Sequence, residues 1–277
     1  MTMPKVKANE IELFYDIQGK GEPLLLIAGF MCNHTYWSLL LPSLIEQYQV
    51  IRLDNRGIGQ SSAPNSPYTI EQMASDAAVL LEHLEFNRVH VAGHSMGGQI
   101  AQQLLLAHPE KVHSLMLLSS WAKGDGLFNT VIETWGDMPK TLDLELYEKV
   151  VLPWIFTDAF YSIPGAIEQI INVAVNYPFP PTTHGLYHQS RAILNSDTRD
   201  FLRNIHCPTL ILVGKQDILA PVKFSQQLAH EIPHSEFVVL ECGGHGFLIE
   251  SPDAVAQVMV NFLAKQSQSH LSVSQQH

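Results

Sequence analysis

The chain has 277 residues, 46% of them hydrophobic and 16% charged, with a formal net charge of −11. That composition fits one large α/β domain, or one domain carrying an insertion, with a sizeable core. No basic run is present, and phosphate-backbone binding needs clustered Lys and Arg, so the acidity argues against nucleic acid and against anionic membrane surfaces.

In chain order, Val6–Asn9 and Ile11–Ile17 predict an opening hairpin, and 19–23 a turn. Leu24–Ala28 is a solid apolar run, the pattern of a strand buried on both faces. Gly29-Phe30-Met31 is a loop, followed by a predicted helix from Trp37 to Tyr48 and a strand at Val50–Leu53. The Gly-rich stretch 54–62 lacks both the Gly-Lys-Ser/Thr ending of a P-loop and the G-x-G-x-x-G spacing, and reads as a structural turn. Thr69 caps a helix whose apolar residues Ile70, Met73, Ala74, Ala77, Leu80, Leu81 and Leu84 keep a 3.6-residue period. Next come a strand from Val89, the sequence Gly93-His94-Ser95-Met96-Gly97-Gly98, a helix stopped at His108-Pro109, and a strand at Val112–Leu118.

From Trp121 to Arg199 this rhythm breaks. Six prolines punctuate short helical pieces, and 121–190 holds 11 of the 24 aromatics. The segment reads as an inserted helical cap. The rhythm resumes with a strand at Thr209–Gly214, a helix at Pro221–Ile232, a strand at Glu236–Leu240 and a helix at Asp253–Lys265. The Ser/Gln-rich tail 266–277 is expected to be disordered. The domain reading is thus a core of 1–120 plus 200–265 and a cap of 121–199, with a mostly parallel, doubly wound sheet.

The longest apolar run, Leu24 to Cys32, is too short to cross a bilayer. No signal peptide is expected from the N-terminal sequence, and a cytoplasmic location follows as an expectation. Cys32, Cys207 and Cys242 form no CxxC pair, so neither a disulfide framework nor a metal site is indicated. Cys207 and Cys242 read as small buried hydrophobes.

The β-branched run ending in Gly-x-Ser-x-Gly, with a helix directly after it, is the context of a nucleophile elbow. A serine on such a strained turn crowds the residues two before and two after it, where Gly93 and Gly97 have no Cβ to clash. Its hydroxyl needs a base, and the base needs an orienting group. In an open α/β sheet both belong beyond the carboxyl ends of strands. Among 14 histidines, His245 stands after a strand with glycines on both sides. His206 precedes a strand, His234 sits in a turn, His94 is an elbow neighbour pointing elsewhere, and His184 and His188 lie in the cap as possible substrate contacts. Asp217 follows Thr209–Gly214 and is the acid, against the alternative that it caps the next helix; Asp125 is its rival. Backbone N–H groups of Met96 and Phe30 are the expected oxyanion donors.

Gly29-Phe30 with Trp37, Asp54-x-Arg56-Gly57-x-Gly59-x-Ser61, the elbow, Gly214-x-x-Asp217 and Gly243-Gly244-His245 together resemble the α/β-hydrolase superfamily. The branch most similar holds 3-oxoadipate enol-lactonases, aminoacrylate hydrolases and small carboxylesterases. The resemblance runs from Lys5 to Lys265 and is weak across 121–200. It implies an α/β-hydrolase fold, with an eight-stranded, mostly parallel sheet and an inserted cap. It also implies acyl transfer by Ser95, Asp217 and His245 without a cofactor, in a monomer or homodimer. Ala28 departs from the pattern, since many relatives carry there a His that supports the oxyanion loop. A serine at the elbow argues against the carboxylate-nucleophile chemistry of epoxide hydrolases and haloalkane dehalogenases.

The cap aromatics Trp121, Phe128, Trp135, Trp154 and Phe156 predict an apolar substrate pocket. The stretch 121–190 has no Arg and sets three Lys against eight acids. A dicarboxylate-like lactone would favour a guanidinium clamp, so a neutral ester or lactone is the expected substrate. A slow signal-receptor relative and a C–C bond hydrolase acting on a diketone are the other two readings.

Overall fold

The computed structural model describes residues 4–273. Eight strands form one sheet: β1 (Lys5–Ala8), β2 (Ile11–Gln18), β3 (Glu22–Ile27), β4 (Tyr48–Leu53), β5 (Val89–His94), β6 (Val112–Leu118), β7 (Thr209–Gly214) and β8 (Glu236–Leu240). Their spatial order is β1-β2-β4-β3-β5-β6-β7-β8. The β1–β2 and β2–β4 pairs are antiparallel, and every later pair is parallel.

The apolar runs explain this arrangement. Within β3, Leu25 and Ile27 join one core while Leu24 and Leu26 join the other, so the strand is buried from both sides and must lie inside the sheet. One layer carries α2 (Ile70–His83), α3 (Met96–Ala107) and α9 (Val222–Glu231); the other carries α1 (Leu41–Leu44) and α11 (Pro252–Val273). Thr69 accepts a hydrogen bond from the Gln72 N–H at 3.0 Å and starts α2. The strand order reverses at β3, which lies between β4 and β5, with Ile27 beside Gly93. That switch point is where an open α/β sheet forms a crevice.

Between β6 and β7 the chain makes α4 (Gly126–Asp137), α5 (Leu144–Ile155), α6 (Asp158–Tyr161), α7 (Ala166–Val175) and α8 (Thr183–Asn195), with no strand among the described residues. Arg191 on α8 ties this group to α4 through Glu133 at 2.7 Å and Asp137 at 2.8 Å.

Three expectations need correction. The helix predicted from Trp37 to Tyr48 is a 3₁₀ turn at His34–Trp37 followed by the four-residue α1. Pro42 opens α1, and its ring and missing N–H prevent continuation of an earlier helix. The tail predicted to be disordered from 266 is helical as far as Val273, and 274–277 lie outside the described residues. Cys242 is exposed, and Cys207 only half-buried. A short helix, α10 (Phe247–Glu250), follows His245 unpredicted. No helix among the described residues is long and apolar enough to cross a membrane.

Candidate active site

Ser95 sits between the last residue of β5 and the first of α3, at φ +55° and ψ −121°. That conformation is strained for any residue but glycine and persists because its surroundings hold it. The Ser95 N–H donates to the Leu118 carbonyl at 2.9 Å, and Ser120 Oγ donates to the Ser95 carbonyl at 3.0 Å. A Cβ on Gly93 would strike the Gly97 backbone, and one on Gly97 the Ile27 carbonyl. The glycine spacing is therefore a packing requirement of the turn.

Ser95 Oγ lies 3.0 Å from His245 Nε2, and His245 Nδ1 lies 2.9 Å from Asp217 Oδ2. All three residues are buried. The other Asp217 oxygen accepts the Leu219 and Ala220 N–H groups at 3.0 and 2.8 Å. Asp217 therefore anchors a turn as well as facing the imidazole. It does not cap α9, whose N-cap is Pro221. Its rival Asp125 is elsewhere: it caps α4 by accepting from the Phe128 N–H at 3.0 Å and pairs with Lys223 at 2.5 Å.

The loop after β3 lies against Ser95, since a Cβ on Gly29 would be 3.0 Å from Ser95 Cβ. Phe30 follows Gly29 in this loop, and Met96 follows Ser95 as the first residue of α3. Ala28 leaves no imidazole to brace this loop, and Asn55 does so instead, donating to the Ala28 carbonyl at 3.0 Å. Met31, at φ +56°, donates to Gln189 Oε1 at 3.2 Å, while Gln189 Nε2 donates to the Arg56 carbonyl at 2.8 Å. Gln189, on α8 and fully buried, has no motif to reveal it. The 54–62 stretch is a turn: Asp54 accepts the His34 N–H at 2.6 Å and the Gln60 N–H at 2.8 Å.

His94 is more than an elbow neighbour. Its Nε2 donates to the His245 carbonyl at 2.9 Å, the two rings are 4.9 Å apart, and Tyr36 packs on it at the same centroid distance. Burial, then the neighbouring His245, hold its pKa well below the usual histidine value, so it stays neutral. His184 and His188 are turned to the 54–69 segment, with Nε2 atoms 2.7 Å from the Ala63 carbonyl and 3.2 Å from Asn65 Oδ1.

The five cap aromatics do not form one wall. Trp135 stacks on Phe30 at 6.4 Å. Trp121 packs on Phe128, which meets Phe224 of α9, and all three are buried in the core. Phe156 stacks on Phe160, and with Trp154 it lines a cavity of about 260 Å³ that also touches Gln216, Ile218 and Gly244. Glu148 on α5 is buried at 5% exposure, and loss of solvent raises its carboxyl from 4.5 to about 7. Burial first, and Glu148 second, push the Cys32 thiol up to about 12, so it stays protonated.

Residues 22–252 match the family model described as alpha/beta hydrolase fold. A protein named "Putative carbamate hydrolase RutD" from Azorhizobium caulinodans is 30% identical over 94% of this chain and 98% of its own length. The enol-lactonase of Burkholderia xenovorans superposes with a TM-score of 0.86 at 28% identity, covering 94% of this chain and all of that one. A thermophilic esterase from Thermogutta terrifontis gives 0.85 at 28% identity, over 95% and 98% of the two chains. The chain belongs to the α/β-hydrolase family.

Proposed function

We propose that the protein is a serine hydrolase that cleaves a small-to-medium ester or lactone through an acyl-enzyme. The observation that carries the reading is the continuous relay from Asp217 through His245 to a strained Ser95, at 2.9 and 3.0 Å. Ser95 Oγ attacks the carbonyl carbon as His245 Nε2 takes its proton, while the Nδ1–H donates to Asp217. The Met96 and Phe30 N–H groups receive the developing oxyanion. His245 returns the proton to the leaving alkoxide, then takes one from the water that releases the acid. The named activities of the esterase and enol-lactonase relatives support this class, and the name of the RutD relative adds carbamates to the carbonyl substrates to be assayed.

The test is turnover of a panel of nitrophenyl esters, lactones and carbamates, with organophosphonate labelling. Ser95→Ala is expected to abolish both turnover and labelling, and His245→Ala to lower turnover by several orders of magnitude. Labelling retained at the wild-type rate in Ser95→Ala overturns the assignment. A single acylation followed by a stall favours the slow-receptor reading. Activity on a ring-fission dienoate alone favours C–C hydrolysis.

A further inference from the structure

Two helices of the β6–β7 segment grip consecutive residues of the loop after β3. They come together at Gly136 of α4 and Ser190 of α8, where a Cβ on the glycine would strike the serine hydroxyl. The residues just before this pair both reach the loop. The Trp135 ring stacks on Phe30 at 6.4 Å and 15°, and Gln189 Oε1 accepts the Met31 N–H at 3.2 Å.

The loop is a turn held in a strained form. The Cys32 N–H donates to the Gly29 carbonyl at 3.3 Å, so 29–32 close a four-residue turn. Met31 is its third residue and holds φ +56°. A positive φ there is the type II signature, normally given to glycine or asparagine, and methionine reaches it only under constraint. The competing type I form turns over the Phe30–Met31 peptide and returns Met31 to negative φ. It would aim the Phe30 carbonyl where the Met31 N–H now points.

Gln189 decides between the two forms. Its Nε2 donates to the Arg56 carbonyl at 2.8 Å, and Arg56 is itself fixed by a buried ion pair with Asp76 of α2 at 2.6 Å. The amide is thereby oriented with Oε1 toward the turn, and an acceptor there matches the N–H and repels the carbonyl. Gln189 is fully buried, where both bonds are stronger than in water. The Phe30 N–H belongs to the same turn. It shares a trans peptide with the Gly29 carbonyl, so it points opposite to the bond from Cys32 and out of the turn.

We propose that Gln189 is a positioning residue: by holding the 29–32 turn in its strained form, it aims the Phe30 N–H at the oxyanion formed on Ser95. This rests on the serine-hydrolase reading and assigns the upkeep of the oxyanion site to α8.

The test uses an ester substrate and an alkyl trifluoromethyl ketone. Ser95 Oγ adds to the ketone carbon, its proton passes to His245, and the carbonyl oxygen becomes an oxyanion with no leaving group to expel. Gln189→Met keeps the length but removes both polar ends; Gln189→Asn keeps the amide, one methylene short of its partners. Each is expected to lower kcat about ten- to a hundredfold with KM little changed, less than the roughly 10²–10³ that outright loss of an oxyanion donor costs. Ketone affinity should weaken by the same factor as kcat/KM. Glycine takes positive φ without strain, so adding Met31→Gly to Gln189→Met should recover most of the loss. A Gln189 that merely supported the fold would not be relieved by a glycine at position 31. Three results overturn the proposal: kcat within about threefold of wild type in both single variants, ketone affinity unmoved while kcat falls, or no recovery in the double variant. Organophosphonate labelling of wild-type Ser95 separates the two layers. Labelling together with any of those results overturns the role of Gln189 alone, and failure of Ser95 to label removes both.

Discussion

Ser95, His245 and Asp217 meet within hydrogen-bond distance although 122 and 28 residues separate neighbours along the chain, and each side chain is committed to one orientation. For Asp217 the commitment is double. Oδ1 holds the Leu219–Ala220 turn and Oδ2 faces His245 Nδ1. In Asp217→Asn, the amide oxygen keeps the turn and its NH₂ points at Nδ1. That forces the proton onto Nε2, the tautomer that cannot accept from Ser95. Turnover is expected to fall by about 10⁴ with the melting temperature little changed. Asp125→Asn, a cap that Asn replaces well, should leave turnover near wild type; the reverse result would move the acid to Asp125. His94 acts one step further out, through the His245 carbonyl. His94→Phe preserves the ring but orphans that buried carbonyl, at about 1–3 kcal/mol. One to two orders of magnitude should therefore be lost in kcat, with partial recovery in His94→Gln, whose amide can donate. Kinetics at pH 8 check this, and wild-type kcat in His94→Phe would reduce His94 to filler.

At the scale of elements, the site is assembled where β3, β5, β7 and β8 end and α5 closes over them. At Gly244 the nearest atom of α5 is backbone, the Ile155 carbonyl oxygen, so no flexible side chain can yield there. Gly244→Ala introduces a Cβ 2.7 Å from the Ile155 carbonyl, and either α5 or the loop must move. A displacement of that order next to His245 is expected to cost about 10² in kcat/KM. Gly126→Ala is the matched control: it lies in the first turn of α4 with nothing within 4 Å of the new Cβ. There the lost freedom of the unfolded chain is expected to stabilise by about 0.4–1 kcal/mol, with unchanged turnover. Equal activity in both variants would show that α5 adapts freely. Such elements were legible in the sequence because local patterning encodes burial. Thr209–Gly214 and Glu236–Leu240 have the predicted limits, and Thr69 caps as expected. Pro42 was the missed signal between Trp37 and Tyr48.

Across the whole molecule, polar links between distant segments were not legible, because no spacing announces them. Gln189 reaches back 158 residues to Met31, and His94 reaches forward 151 to the His245 carbonyl. Glu250 shows what such links do. Its Oε1 accepts the Thr157 N–H at 2.7 Å and the Thr157 hydroxyl at 2.8 Å, while Oε2 accepts the Gly244 N–H. One carboxylate thus joins the segment after α5 to the His245 loop, and three donors need both of its oxygens. Glu250→Gln offers one oxygen and one NH₂, so a donor must face a donor at Gly244 or at Thr157. Hydrogen exchange is expected to accelerate in 153–160 and 243–246 together, leaving β3 and β5 protected. Turnover should fall about ten- to a hundredfold, as misplaced catalytic groups do. Thr157→Val removes only the hydroxyl donor and should lie between Glu250→Gln and wild type in both measurements. Faster exchange at one segment alone would mean that 153–160 and 243–246 open independently. Glu250 would then be a local brace, with no part in coupling the two halves of the site.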